Sequence, residues 1–313
     1  VGAKYRYPFD PYPDGWYLTV TAADLPSGAV VPLEYFGRDL VAFRTEGGEA
    51  VVADAHCPHM GAHLGYGGRV DGESIRCPFH AWRFDTGGAC IDVPYSTAAQ
   101  PPRVCIATYP VVETNGLVHV WFSAAGTPPS WRPVDRPEFA TPGWVGYETV
   151  GWTIRMHVQE LAENVPDMAH FTYVHEVGPD LVADAEVDGH VYRQRSSMVV
   201  DGVAHEFTRQ EAEGLGLVWL HTTAGTGLCF LTATTPIDDE SCELRLLFLA
   251  HEADGATELS DASRAAIAMV AENTSRDVPI WEHKVYREKA PLVPGDGPIN
   301  LLRKWATQFY PVG

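Results

Sequence analysis

Cys57-Pro58-His59, then 17 residues, then Cys77-Pro78-Phe79-His80 is the stretch that decides how the first third of the chain folds. Each of the two loops offers one thiolate and one imidazole. A structural zinc finger groups its ligands into a cysteine pair and a histidine pair, at other spacings. One cysteine and one histidine from each loop instead suit two irons, one held by both thiolates and the other by both imidazoles. Gly61, Gly65, Gly67 and Gly68 let such loops fold tightly over the metal.

Two thiolates facing two imidazoles across a pair of irons is the ligand set of a Rieske [2Fe–2S] cluster, whose imidazoles raise its potential. Cys57, His59, Cys77 and His80 are therefore the expected cluster ligands. The sequence on either side reads as a compact β module. Short β-type runs at Val30–Phe36, Leu40–Arg44, Ala50–Ala55 and Leu117–Phe122 are broken by the turn pairs Gly47-Gly48 and Asn115-Gly116. His56 and His63 flank the motif without fitting a ligand position and read as polar loop residues. Cys90, Cys105, Cys229 and Cys242 have no histidine close in sequence and read as small buried hydrophobes.

The 313 residues suggest roughly two domains. Apolar residues make up 45% and charged residues 20%, which excludes an intrinsically disordered chain. A chain this long buries ~75% of its unfolded surface, so a metal is not needed merely to fold it and is expected to serve function. Lys and Arg total 22 against 41 Asp and Glu, a net charge of −19. Such a surface repels phosphate backbones and anionic lipid, which argues against nucleic acid as a partner. No run approaches the ~18 apolar residues of a membrane span. Val1 to Pro13 lacks the apolar core of a signal peptide. The expected location is the cytoplasm.

Pro128, Pro129, Pro133, Pro137 and Pro142 fall within residues 124–144 and mark a connection, because proline removes backbone donors and resists regular structure. Beyond it, Tyr147–Met156 reads as a strand and Val158–Val174 as a helix-compatible segment. Val191–Val200, His205–Glu211, Leu217–His221, Leu228–Thr235 and Glu243–His251 alternate like strands of an antiparallel sheet. Ser260–Arg287 has helical spacing, with Ser260 or Asp261 as its cap, and a last short helix is expected over Ile299–Phe309. The fold class is α+β: an all-β Rieske domain over 16–123, the connection over 124–144, and a catalytic domain over 145–313 with an antiparallel sheet and a long helix. Residues 1–15 are expected to pack on that second domain.

A Rieske cluster moves one electron at a time and needs an acceptor. Asn164-Val-Pro-Asp167-Met-Ala-His170-Phe-Thr-Tyr-Val-His175 places two histidines and a carboxylate within nine residues. A facial set of two His and one carboxylate leaves open iron positions for oxygen and substrate. Five residues on a regular helix advance about 500°, which leaves His170 and His175 roughly 140° apart. They meet one iron only if the helix unwinds, bulges or ends between them. Asp167 and His170 share a helix face, so the carboxylate is placed to accept the imidazole's second N–H. A further carboxylate is available on the long helix from Asp261, Glu272, Asp277 or Glu282.

From Gly15 to Tyr310 the chain resembles the Rieske non-haem iron oxygenases, in particular the oxygenase components of ketosteroid hydroxylases and the related sterol desaturases. The likeness is carried by the two loops at 57–61 and 77–80, the Asn164–His175 segment, Arg276-Asp277-Val-Pro-Ile280-Trp281, and the ending Gly297-Pro298…Leu302-Arg303-Lys304-Trp305…Gln308-Phe309-Tyr310. Ala62 and Phe79 stand where respiratory Rieske proteins carry an extra cysteine pair, which points to the oxygenase type. The resemblance implies that His170 and His175 bind a mononuclear Fe(II), with Asp277, or else Glu272, as third ligand. It implies that Asp167 bridges to a Rieske histidine of a neighbouring subunit in a head-to-tail homotrimer, and that Asn164 lies close to the iron. The chain is shorter than those relatives between the iron motifs and in the sheet region, so steroid specificity does not follow.

The expected activity is that of a terminal oxygenase using O2 to hydroxylate a hydrophobic substrate, up to polycyclic, steroid-like molecules. Desaturation, oxidative cyclisation and aromatic-ring or O-demethylating chemistry are alternatives on the same scaffold. Trp219, Phe230, Phe248 and Trp281 are candidates to line an apolar cavity. No Gly-x-Gly-x-x-Gly motif and no plant-type cysteine cluster occurs, so a separate NAD(P)H-dependent reductase, with or without a ferredoxin, is expected to supply electrons. A Rieske electron carrier is the reading of another class, but it leaves residues 145–313 without a role.

Overall fold

The computed structural model describes residues 6–178, 180–223, 227–253 and 255–310. The backbone gathers into two compact units, residues 16–133 and residues 134–313 with the described part of 1–15.

Strands of the first unit are β1 (Gly15–Thr21), β2 (Val30–Tyr35), β3 (Arg38–Arg44), β4 (Ala50–Asp54), β5 (Arg69–Val70), β6 (Ser74–Arg76), β7 (Arg83–Asp85), β8 (Cys90–Asp92), β9 (Thr108–Tyr109), β10 (Val111–Thr114) and β11 (Leu117–Phe122). They form sheets in the orders β1-β11-β10, β2-β3-β4-β9 and β5-β6-β7-β8. Asn115 and Gly116 have φ of 55° and 69°, the left-handed pair of a type I′ turn joining β10 to β11. The last of the three sheets was not foreseen, because strands of two or three residues carry no period to read. Val41, Phe43, Leu64, Ile75 and Phe84 form a core that also encloses Cys57 and Cys77. Cys105 is exposed rather than buried, a correction to the sequence reading.

The second unit is built on a seven-stranded antiparallel sheet of β12 (Trp144–Ile154), β13 (Leu181–Asp188), β14 (Val191–Val200), β15 (Val203–Glu213), β16 (Leu217–Thr222), β17 (Leu228–Pro236) and β18 (Cys242–His251), in the order β12-β18-β17-β16-β15-β14-β13. Strands β14 to β18 start and end within two residues of the sequence expectation. Strand β13 is not in the sequence expectation: Asp184, Glu186 and Asp188 alternate with Ala183, Ala185 and Val187, but alanine and acidic residues are poor strand formers and the strand lies at the sheet edge. The second half of the proline-rich connection is anchored on this sheet. Val134 N–H donates to Glu213 at 2.8 Å, Arg136 pairs with Glu211 and Glu213, and Pro137–Phe139 make one 3-10 turn that buries Glu138.

The helix-compatible segment 158–174 is two short helices, α1 (Val158–Ala162) and α2 (Ala169–Tyr173). Pro166 lies between them, with no N–H to continue a helix. The long helix α3 (Asp261–His283) is capped by Ser260, whose hydroxyl accepts the Ser263 N–H at 3.2 Å, and ends before Arg287. Its Ile267 and Trp281 pack into the sheet's core with Phe230, Leu246 and Phe248. Helix α4 (Ile299–Ala306) closes the unit. Arg303 donates to Glu163 at 2.7 Å, and Tyr310 O–H donates to Gln159 at 2.7 Å, so the chain's ending holds α1. Among the described residues, no helix is long and apolar enough to cross a membrane.

Candidate metal centres

In the first unit the two loops share one backbone plan. The Cys57 N–H donates to the Ala62 carbonyl and the Gly61 N–H to the Cys57 carbonyl, both at 2.9 Å. Cys77 N–H to Trp82 carbonyl (2.8 Å) and Ala81 N–H to Cys77 carbonyl (3.2 Å) repeat it. Gly61 and Ala81 occupy equivalent left-handed positions at φ 74° and 60°. This plan sets the donors in two pairs, sulfur beside sulfur and ring beside ring. The Cys57 and Cys77 thiols are close enough to hydrogen-bond each other, both free of disulfides, and the His59 and His80 rings lie 4.8 Å apart.

Burial pushes the Cys57 thiol up, and the Cys77 sulfur beside it adds to this, while the His59 and Met60 N–H groups oppose it. His80 Nδ1 is buried with no hydrogen-bond partner among the described residues. Two crowded thiols and an orphaned imidazole nitrogen fit a polynuclear iron group that would take both sulfurs as thiolates. His59 stacks flat on Trp82 at 4.4 Å, which holds its ring. His63 does not join the set: its Nδ1 accepts the Gly65 N–H at 3.0 Å. His56 Nε2 faces Asp39 at 3.8 Å.

In the second unit, α2 ends at Tyr173, between His170 and His175. That break removes the angular conflict of a regular helix, and the two rings sit 5.0 Å apart. Asp277 approaches from α3, its Oδ2 3.2 Å from His175 Nε2. One donor atom from each of His170, His175 and Asp277 lies within 4.8 Å of the other two. All three side chains are at least nine-tenths buried, and His170 Nε2 has no partner among the described residues. An aimed, unpaired imidazole nitrogen beside a buried carboxylate fits a divalent iron. Glu272 is not part of the set; it is mostly exposed and pairs with Arg276 at 3.1 Å.

Asp167 and His170 are in contact, but not as the sequence suggested. The His170 Nδ1–H donates to the main-chain carbonyl of Asp167 at 2.6 Å, and the carboxylate Oδ1 accepts the His170 main-chain N–H at 3.2 Å. Burial raises the Asp167 carboxyl, but the hydrogen bonds and charge of His170 outweigh it and hold the group below its usual range.

Two residues that sequence reasoning missed hold this loop. Gln194 donates to the Val165 carbonyl at 2.7 Å from β14, where it is buried in the same inward row as Tyr192 and Ser196. Gly297 sits so close that a Cβ there would fall 1.9 Å from the Pro166 carbonyl oxygen, and its φ of 92° also favours glycine.

The trio opens on a cavity of about 280 Å³ whose apolar walls include Phe171, Phe207, Leu220, Phe230, Leu246 and Trp281. Besides the trio, its polar lining consists of Asn164, Gln210, Asn273 and four threonines. Phe230 and Trp281 thus line the cavity as expected, whereas Trp219 and Phe248 do not. Trp219 alternates to the other sheet face, beneath Arg136, and Phe248 packs behind Phe230 with ring centroids 5.0 Å apart.

A β module carrying paired Cys/His loops, joined in one chain to a sheet-and-helix unit with a two-histidine, one-carboxylate trio, defines a Rieske-type non-haem iron oxygenase. Residues 15–110 match the Rieske [2Fe-2S] domain family, and residues 120–310 match the 3-ketosteroid 9alpha-hydroxylase C-terminal domain family. The chain belongs to that ketosteroid-hydroxylase family of oxygenases.

Cholesterol 7-desaturase of Bombyx mori is 31% identical, over 96% of this chain and 70% of its own. A 3-ketosteroid-9-alpha-monooxygenase oxygenase component of Rhodococcus rhodochrous is 32% identical, over 95% and 83%. Among solved structures, dicamba monooxygenase bound to dicamba superposes with a TM-score of 0.71 at 17% identity, covering 94% of this chain and 96% of that one. NdmA of Pseudomonas putida CBB5 with caffeine also gives 0.71, at 19% identity, over 93% and 89%. At such identity these two show the fold. The protein is an oxidoreductase that uses a Rieske cluster and Fe(II), and it is the oxygenase component of a system with a separate electron donor.

Proposed function

We propose that this oxygenase hydroxylates a hydrophobic, polycyclic, steroid-like molecule in the cavity above His170, His175 and Asp277. The observation that carries the reading is the junction of that buried trio with an apolar cavity of about 280 Å³. Cys57, His59, Cys77 and His80 would hold the cluster, and His170, His175 and Asp277 the Fe(II). Bound there, the cluster supplies single electrons and the iron activates dioxygen.

The protein's own residues set the rest. Aromatic and aliphatic walls exclude water and bind an apolar skeleton, while Asn164, Gln210 and Asn273 offer the polar handles that orient it. The His170 Nδ1–H bond to the Asp167 carbonyl fixes the tautomer that leaves Nε2 free for metal. Asp167 is the proposed bridge to a neighbouring subunit's cluster histidine in a homotrimer. Met60, Tyr66 and Phe79, exposed beside the cluster loops, support docking of a partner there. A cytoplasmic NAD(P)H-dependent reductase, with or without a ferredoxin, is the proposed donor.

The similarity to sterol desaturases at 31% identity favours one second reading, removal of two hydrogens at the same site. Incubation with a reductase, NADH, O2 and a panel of 3-ketosteroids and sterols separates the two by mass. Gain of one oxygen atom is expected. Loss of two hydrogens supports desaturation, and oxidation of none of the panel, with small aromatics consumed instead, overturns the steroid-like assignment.

A further inference from the structure

Antiparallel register sets His221 of β16 directly opposite Cys229 of β17. Residues so paired have Cβ atoms ~4.5–5.5 Å apart on one face of the sheet. Their neighbours Leu220 and Phe230 point the other way, into the cavity. The Pro137–Phe139 turn lays Glu138 over the pair, with its Oε1 2.6 Å from His221 Nε2. One carboxylate oxygen, one imidazole nitrogen and one sulfur thus lie within 4.8 Å of each other. Glu138 is only 9% exposed, and its second oxygen is buried without a hydrogen-bond partner among the described residues. A buried carboxylate oxygen left unpaired keeps its desolvation penalty, which a bound cation would offset. The trio at His170, His175 and Asp277 shows the same combination of imidazole–carboxylate approach and orphaned buried donor.

We propose that Glu138, His221 and Cys229 form a divalent-metal site suited to Zn2+, on the sheet face opposite the cavity. Thiolate, imidazole and carboxylate together are a zinc donor set, and three protein ligands leave a fourth position for water. His221 is about one-third exposed, which gives the ion access. Burial, with the Glu138 charge adding to it, pushes the Cys229 thiol up, and a cation bound there would take its sulfur as thiolate. Arg136 opposes that shift, but its charge is matched by Glu211 and Glu213. The bound ion clamps the segment that leads into β12 onto β16 and β17.

The test uses iron-loaded protein dialysed against low-micromolar Zn2+ and then metal-free buffer. One zinc per chain beyond the iron is expected, with an X-ray absorption shell of one sulfur at ~2.3 Å and the rest N/O at ~2.0–2.1 Å. Glu138→Gln and Cys229→Ala each weaken retention by roughly tenfold or more. Asp277→Ala keeps the zinc, because the iron trio is not the site. Should Cys229→Ala fail to fold, Glu138→Gln and His221→Gln carry the test. No retained zinc, unchanged retention in the variants, or a shell with two sulfurs overturns the proposal. None of these results touches the oxygenase reading, which uses none of the three residues.

Discussion

His170 and Asp167 are locked in two directions: the imidazole Nδ1–H to the Asp167 main-chain carbonyl at 2.6 Å, and the His170 main-chain N–H to the Asp167 carboxylate at 3.2 Å. The ring is therefore oriented by backbone, which leaves the Asp167 carboxylate, about one-third exposed, with acceptor capacity for a second partner. Asp167→Asn keeps an oxygen for the His170 N–H but turns the other acceptor into a donor. Folding and iron content are expected to match wild type, while turnover falls about 10–100-fold. Iron analysis beside a steady-state assay checks this, and wild-type turnover would remove the bridging role.

Asp277→Ala and Glu272→Ala separate the two candidate carboxylates. Asp277 is buried against His175, so its loss should release the mononuclear iron and abolish turnover while leaving the Rieske absorption intact. Glu272 is exposed and pairs with Arg276 along its own helix, an arrangement worth about 0.3–0.5 kcal/mol. Its alanine variant should keep its iron.

Gly297→Ala places a methyl group on the Pro166 carbonyl, in a backbone conformation that disfavours it. Something must move, and the adjacent strut is the 164–167 loop. Expected outcomes are loss of at least about 2 kcal/mol of stability and a lowered occupancy of the mononuclear iron, with the Rieske absorption unaltered. Equal iron and equal melting would show that the close approach of Gly297 does not hold the loop.

What was legible in the sequence follows from how locally each feature is written. The Cys/His loops combine residue type with close spacing, and five of the sheet strands are apolar or alternating runs bounded by turn residues. His170 and His175 were readable as a pair, but only the end of α2 at Tyr173 shows how they meet. Features built from distant segments left no such trace. Glu138, His221 and Cys229 have no common spacing, and Cys229 reads alone as a small hydrophobe. The facing of Trp219 depends on strand parity, which composition does not report.

Gly61 and Ala81 provide an internal comparison, since the two loops place them at the same left-handed position. A Cβ at Gly61 meets no atom within 4 Å, so Gly61→Ala should cost only conformational energy, about 1 kcal/mol. Ala81→Gly relieves that same strain but loosens the unfolded chain, leaving a gain below about 1 kcal/mol. Thermal bleaching of the cluster's visible absorption should therefore quicken in the first variant and hold or slow in the second.

His157 predicts the acid limit of the second unit. Its Nδ1 accepts the Gln159 N–H at 3.0 Å, capping α1, and its Nε2–H donates to the Asp10 carbonyl at 3.0 Å. Tyr7, Phe9 and Tyr310 surround the ring, so the neutral tautomer has both nitrogens satisfied and no water to share a charge. Burial holds its pKa down to about 4, with the carbonyl contacts of Asp10 and Pro11 only partly opposing. The unfolded chain takes up this proton near pH ~6.5 and the folded one does not. The stabilisation is thus complete above that value and is lost as pH falls toward 4, about 3 kcal/mol in full. Asn at 157 keeps a capping oxygen but does not titrate. Between about pH 7.5 and about pH 5.5, wild type should lose on the order of 1 kcal/mol more stability than His157→Asn. Denaturant unfolding of the two proteins at both pH values measures that difference directly. Parallel losses would show that the imidazole is protonated in the folded state, and that another group sets the acid limit.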